Sequence, residues 1–212
     1  MGVETVLDTI LPLRPRSART KALSLESVPL TVTSHELLGE QITTLMDYQR
    51  SEVRDLIQSL KYDGTGHAAH LCAAVLSEYF SEEISNARMF SQKRILLMPI
   101  PLHASRERER GFNQIGLALA SLPLEYRNGD TASLIPGALE RVRQTTPQTH
   151  LSRAERLRNV SDAFAVPNPA LVQNTHVYLI DDVATTGATL IHAGRALKRA
   201  GAEVTLIALA RA

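Results

Sequence analysis

Two adjacent carboxylates and a loop of small residues give one stretch of this sequence a clear chemical character. Asp181 and Asp182 follow an apolar run at residues 177–180. After them comes a loop of small and hydroxyl-bearing residues: Ala184, Thr185, Thr186, Gly187, Ala188 and Thr189. Such a loop lets the backbone approach an anion closely, and the N-terminus of a following helix attracts phosphate. The neighbouring carboxylates suit vicinal hydroxyls or Mg²⁺, so the stretch indicates a ribose 5-phosphate site.

The hydrophobic pattern predicts the elements that must position these residues. The apolar run predicts a buried parallel strand, and the spacing of Leu190, Ile191 and Leu197 predicts a helix after the loop. Further strands are predicted at residues 94–101, 138–142, 162–166 and 203–210, and helices at residues 49–60, 66–80 and 113–122. Strands that alternate with helices predict an α/β fold with a mostly parallel sheet flanked by helices.

Residues 1–41 lack a clear period and carry several prolines, so they are predicted to form an irregular N-terminal arm or small appendage. Residues 42–212 are predicted to form the main domain. A chain of 212 residues with 44% hydrophobic and 21% charged residues suits one globular domain with a sizeable core.

Charge, cysteine content and hydrophobicity limit the kinds of site and the cellular location that the sequence allows. The net charge of +1 favours no particular partner, and the single cysteine, Cys72, excludes an internal disulfide and a cysteine zinc cluster. No apolar run approaches the length of a membrane span, and Asp8 interrupts the short apolar segment at the N-terminus. We therefore expect no membrane span, no secretory signal and a cytoplasmic location.

Three other groups of residues have both a functional and a structural interpretation. The motif Arg110-Gly-Phe-Asn-Gln114 is either functional or a capping turn in which Asn113 caps a helix and Phe112 packs in the core. The basic stretch at residues 141–158 holds five arginines and one glutamate, and it is either a lid or a solvated basic face. His67, His70 and Cys72 lie close in sequence, but helical spacing favours ordinary side chains over a metal site.

The acidic pair and its loop resemble the signature of the type I phosphoribosyltransferases, which bind 5-phosphoribosyl-1-diphosphate (PRPP). Over residues 42–212 the order of motifs is similar to that of the ComF family, phosphoribosyltransferase-like proteins linked to competence for DNA uptake. The motifs that carry this resemblance are Lys61-Tyr62, Pro99-x-Pro101, Arg110-Gly-Phe-Asn-Gln114, Gln148, Arg156-x-x-Asn159, Ala163-Phe164 and Asp181-Asp182.

The resemblance implies a type I phosphoribosyltransferase fold that binds PRPP with Mg²⁺ and transfers its phosphoribosyl group to a base or amine. It places the 5-phosphate in the loop from Ala184 to Thr189 and the diphosphate with Mg²⁺ near Pro101 and Leu102. Asp181 and Asp182 would bind the ribose hydroxyls or the metal, and Arg110 joins them as the third candidate catalytic residue.

The resemblance also leaves alternatives open. Members of the family usually carry an N-terminal zinc ribbon with four cysteines, and a chain with one cysteine is expected to lack it. A non-catalytic competence factor or a nucleotide sensor could use the same fold, with a protein of the competence machinery or a second copy of the chain as partner. Direct binding of single-stranded DNA ranks lower, because residues 141–158 contain no aromatic side chain for base stacking.

Overall fold

The computed structural model describes residues 15–142 and 163–212. The helices in these ranges are α1 (Pro15–Lys21), α2 (Ser51–Gln58), α3 (Gly66–Phe90), α4 (Ala104–Arg110), α5 (Gln114–Ala120) and α6 (Ala188–Arg199). The strands are β1 (Leu30–Leu37), β2 (Glu40–Asp47), β3 (Arg94–Pro99), β4 (Ser133–Leu134), β5 (Glu140–Arg141), β6 (Phe164–Ala165), β7 (Thr175–Ala184) and β8 (Glu203–Arg211). A π-helical turn, Ser59–Asp63, continues α2.

A six-stranded sheet in the order β1-β2-β8-β7-β3-β4 forms the centre of the described structure. Five neighbouring strands of this sheet, β2, β8, β7, β3 and β4, run parallel to one another. Strand β1 pairs with β2 in the antiparallel direction at one edge of the sheet. This confirms the predicted α/β class with a mostly parallel sheet. The two central strands, β7 and β8, have mostly buried side chains, as expected for strands covered on both faces.

Each face of the sheet has its own hydrophobic core. One core packs α2, α3 and α5 against side chains such as Ile180 and Ile207. The other core packs α6 and the residues around β5 and β6 against side chains such as Leu179 and Leu206. Successive residues of a strand point to opposite faces, so β7 contributes alternately to the two cores.

Several elements differ from the sequence prediction in length or type. Helix α3 extends ten residues beyond the predicted end at Phe80, because no glycine or proline follows and Ile84 continues the buried face. Helix α4 is absent from the predicted elements, since its charged residues give no hydrophobic period. Strand β4 is also absent from the predicted elements, and it pairs with β3 through only two residues.

The chain before β1 is irregular in its described part, with α1, a 3₁₀ turn at Leu25–Ser27 and extended connections. The predicted boundary between residues 41 and 42 falls inside β2, and the division into arm and domain stays a prediction. Helix α1 packs on α2 and is tied to the turn after it, because Arg16 donates two hydrogen bonds to the Asp63 carboxylate.

Candidate functional site

The acidic pair lies inside strand β7 rather than after its end. The sequence predicted a strand at residues 177–180, but pairing with β8 continues as far as Ala184. Adjacent residues of a strand point to opposite faces, so Asp181 lies on the face of Leu179 and Asp182 on the face of Ile180. Those two neighbours belong to different hydrophobic cores. The two carboxylates therefore have different surroundings.

Asp182 is buried and both of its carboxylate oxygens have side-chain partners. The residue is only 5% exposed. Lys61 Nζ lies 2.9 Å from Oδ1 in an ion pair, and Gln114 Nε2 donates a hydrogen bond of 2.6 Å to Oδ2. A buried carboxylate needs such partners, because burial of an unpaired charge is costly.

Asp181 is half-buried and accepts a hydrogen bond of 2.8 Å from the backbone N–H of Asp182. Burial, and then the negative charge of Asp182, raise the pKa of Asp181 to about 7. The positive charges of Lys61 and Arg141 act in the opposite direction on this pKa. A carboxylic acid with a raised pKa in a cleft is typical of functional sites.

Arg141 stands on the Asp181 side of the sheet. It lies in β5, stacks over the ring of Phe164 in β6 with 5.5 Å between the guanidinium carbon and the ring centre, and is half-buried. Burial and the charge of Arg106 lower the pKa of Arg141, and the charge of Asp181 raises it. The short β5–β6 pair thus brings a cation close to Asp181. Residues 143–158 of the basic stretch, to which the lid and the solvated-face interpretations apply, lie outside the described residues.

The loop after β7 has the predicted strand–turn–helix form. Ala184 is the last residue of the strand, Thr185 and Thr186 are exposed, and α6 begins at Ala188. Gly187 has a φ of +63°, in the left-handed region that favours glycine. Its Cα is covered by the β1–β2 hairpin, since a side chain there would overlap Ile42 Cδ1. Thr189 lies half-buried in the first turn of α6.

The segment after β3 begins beside the acidic pair. The backbone N–H of Ile100 donates a hydrogen bond of 2.8 Å to the carbonyl of Ile180, so Pro101 and Leu102 follow directly at the same sheet edge. Asn113 Nδ2 donates a hydrogen bond of 2.9 Å to the Ile100 carbonyl and holds this segment in place. The structure therefore brings the segment containing Pro101 and Leu102 to the edge that carries Asp181.

The Arg110–Gln114 motif connects these elements. Asn113 caps α5 as predicted, because its Oδ1 accepts hydrogen bonds from the N–H groups of Ile115 and Gly116. Phe112 is half-buried and packs on the turn at Gly64, where φ is +58° and a side chain would lie 2.8 Å from the ring. The expectation that Phe112 packs in the core is thus wrong, since it covers a turn instead.

Arg110 reaches the acidic pair through other side chains. Its NH1 group donates a hydrogen bond of 2.8 Å to Gln114 Oε1, and its guanidinium stacks over the ring of Tyr62 at 5.4 Å. We call Lys61, Tyr62, Arg110, Gln114 and Asp182 the Asp182 cluster. The sequence pointed to Lys61, Tyr62 and Gln114 only as motif residues. Their roles had no local signal, because their partners are distant in the chain.

Histidine and cysteine side chains of α3 have ordinary partners. The ring nitrogens of His67 and His70 lie within hydrogen-bond distance of the carbonyls of Leu23 and Gly66, and burial raises the pKa of Cys72 to about 12. Within residues 15–142 and 163–212, no three His, Cys, Asp or Glu side chains converge as a metal site. In the same ranges, no helix is long and apolar enough to cross a membrane.

Comparison with known proteins identifies several relatives, although no protein-family model matches the chain. The chain is 35% identical over 137 residues to the DNA utilization protein YhgH of Salmonella typhimurium, which covers 64% of this chain and 58% of that protein. It is 30% identical over 170 residues to the DNA utilization protein YhgH of Escherichia coli K12. That alignment covers 79% of this chain and 70% of the E. coli protein.

A third relative is a competence protein. The chain is 30% identical over 194 residues to the competence protein ComFC of Bacillus subtilis, and the alignment covers 91% of this chain and 72% of that protein. The chain thus matches most of the length of the last two relatives, but only 58% of the length of the Salmonella protein.

Proposed function

The chain belongs to the ComF family of competence and DNA utilization proteins, and from this premise we propose that it binds PRPP with Mg²⁺. We further propose that it transfers the phosphoribosyl group to a base or amine in a process associated with competence or DNA utilization. The observation that carries the proposal is the position of Asp181 near the carboxyl ends of β7 and β3. There it lies between the small-residue loop before α6 and the segment after β3.

The loop before α6 supports binding of the 5-phosphate. It presents two exposed threonine hydroxyls and the N-terminal end of a helix of 12 residues. Unpaired N–H groups and the positive end of the helix macrodipole favour an anion at that position. The left-handed conformation of Gly187 allows the sharp turn from strand to helix.

The Asp181 carboxylate supports binding of the ribose. An ionised carboxylate is an acceptor with two oxygens, and vicinal hydroxyls are donors at a matching spacing. The segment at Pro101 and Leu102, on the neighbouring strand, is then the candidate site for the diphosphate. Parallel sheets bind ligands in this crevice beyond the carboxyl ends of their strands.

The residues present fit Mg²⁺ that is shared with a substrate. No all-protein cage of carboxylates exists in the described ranges, and Mg²⁺ is usually held by one or two carboxylates plus phosphate oxygens. Asp181 would supply the carboxylate, and the bound cation would neutralise charge that develops on the leaving diphosphate. Arg141, close to Asp181, would add a fixed positive charge on the same side of the sheet.

Binding without turnover is the alternative outcome, as in a nucleotide sensor or a competence factor that docks on another protein. It uses the same loop and carboxylates, so a binding measurement alone does not separate it from catalysis. Release of diphosphate in the presence of candidate bases or amines does.

Calorimetric titration tests the proposal. PRPP with Mg²⁺ is titrated into the wild type, into the double variant Thr185→Val/Thr186→Val, and into Thr131→Val as a control at the opposite edge of the sheet. We expect binding to the wild type and the control, and affinity reduced about tenfold or more in the double variant, because hydrogen bonds to a charged group are worth about 1.5–3 kcal/mol each. A folded wild type that does not bind PRPP would refute the proposal.

A further inference from the structure

We propose that the two acids of the pair have different roles: Asp181 contacts the ligand, whereas Asp182 is a positioning residue held by the Asp182 cluster. The identity of the ligand rests on the proposed function. The division of roles rests on the contacts of the two carboxylates.

Asp182 offers little accessible surface to a ligand, because the residue is only 5% exposed and each carboxylate oxygen already has a side-chain partner. Lys61 occupies one oxygen at 2.9 Å and Gln114 the other at 2.6 Å. The side chain lies among residues of the core that contains α3 and α5, on the face opposite to α6. A ribose hydroxyl would have to enter the buried surroundings of the Lys61–Asp182 ion pair to reach a remaining lone pair of this carboxylate.

The Asp182 cluster closes on itself, which orients its members. Arg110 donates to Gln114 Oε1, so the amide nitrogen of Gln114 must face Asp182. Arg110 also stacks on Tyr62, the chain neighbour of Lys61. Arg16 stacks on the same ring at 5.2 Å and ties α1 to the cluster. The contacts thus join the turn after α2, helix α5 and strand β7 on the Asp182 face of the sheet.

Asp181 lies on the other face, on the side of α6 and the small-residue loop. Among residues 15–142 and 163–212, the backbone N–H of Asp182 donates a hydrogen bond to Oδ1 of Asp181. That bond fixes the side-chain rotamer, because the donor belongs to the next residue of the same strand. Any shift of Asp182 therefore moves the group that orients Asp181. This is how the Asp182 cluster acts on the site without a contact to the ligand.

If the Asp181 carboxylate alone accepts hydrogen bonds from both ribose hydroxyls, the affinity for a sugar phosphate should depend on both hydroxyls. Asp181 should discriminate ribose 5-phosphate from 2-deoxyribose 5-phosphate, which lacks one hydroxyl. Asp182 should affect both ligands equally, because it acts through the position of Asp181.

The test measures the affinity of both sugar phosphates by calorimetry for the wild type, Asp181→Asn and Asp182→Asn, together with melting temperatures. We expect Asp181→Asn to melt at a temperature no lower than the wild type, lose at least tenfold in affinity for ribose 5-phosphate and lose the discrimination. We expect Asp182→Asn to melt at a lower temperature and, well below that temperature, to weaken both ligands by the same factor. Gln114→Met, which removes one partner of Asp182, should show the same pattern if Asp182→Asn does not fold.

Three results would overturn the division of roles. Discrimination could collapse in Asp182→Asn, affinity could be unchanged in Asp181→Asn, or both affinity and stability could be unchanged in Asp182→Asn and Gln114→Met. A wild type that binds neither sugar phosphate nor PRPP refutes the proposed function instead. In that case the different melting temperatures of the two Asp→Asn variants still test the structural half of the inference.

Discussion

Replacing Lys61 with methionine tests how much the Lys61–Asp182 ion pair contributes to stability. Methionine keeps the apolar stem of lysine but removes the ammonium group 2.9 Å from Asp182 Oδ1. The Asp182 carboxylate then stays buried with Gln114 as its remaining side-chain partner. We expect Lys61→Met to destabilise the fold, because a buried charge loses its counter-charge.

The size of the effect follows from burial. Loss of one partner from a fully buried ion pair costs about 3–5 kcal/mol. The Lys61 side chain is 22% exposed, so water can partly replace it, and Gln114 still donates to Asp182. We therefore expect a loss of about 2 kcal/mol in the free energy of unfolding, below the range for a fully buried pair. For a domain of this size, that corresponds to a melting temperature lower by about 4–8 °C.

Urea denaturation of three variants provides the assay. Lys93→Met is the matched control, since its ion pair with Glu203 is exposed and should contribute less than about 1 kcal/mol. The double variant Lys61→Met/Asp182→Asn should recover part of the loss, because it removes the uncompensated charge. Equal, small effects of Lys61→Met and Lys93→Met, with no coupling in the double variant, would contradict this account of the Asp182 cluster.

Three further predictions concern the loop, the titrating acid and the helix cap. Gly187→Ala should cost about 2 kcal/mol in urea denaturation, because φ is positive and the new methyl group overlaps Ile42. Asp181→Asn should have a higher melting temperature than the wild type above pH 7 and the same melting temperature below about pH 4. Burial raises the pKa of Asp181 from 3.8 to about 7. Ionisation of Asp181 therefore destabilises the folded wild type as the pH rises between those values. Asn113→Ala should cost about 2 kcal/mol and Asn113→Asp less, because aspartate keeps the cap of α5 but cannot donate to the Ile100 carbonyl.

Local pattern was sufficient for the elements that carry the loop and the acids. The apolar run at residues 177–180, the small residues after it and the spacing of Leu190 and Leu197 predicted a strand, a turn and a helix, and β7 and α6 confirm them. These features depend on neighbours within a few residues, which is the range over which hydrophobic period and backbone preference act. The final strand, β8, was predicted for the same reason.

Partners distant in the chain were beyond that range. Gln114 meets Asp182 across 68 positions, and Asn113 meets the carbonyl of Ile100 across 13 positions. Such contacts follow from the order of strands and from the packing of α5 on the sheet. The sequence indicated Gln114 only through its resemblance to a family and Asn113 also as a helix cap, and neither signal predicted these distant contacts.

The acidic pair shows most clearly what each level decided. The sequence by itself determined that two carboxylates stand next to each other at the end of an apolar run, before a loop of small residues. Only the tertiary structure decided that β7 continues through both of them, because β8 pairs with it as far as Ala184. A strand places adjacent side chains on opposite faces, so pairing between strands separates Asp181 from Asp182.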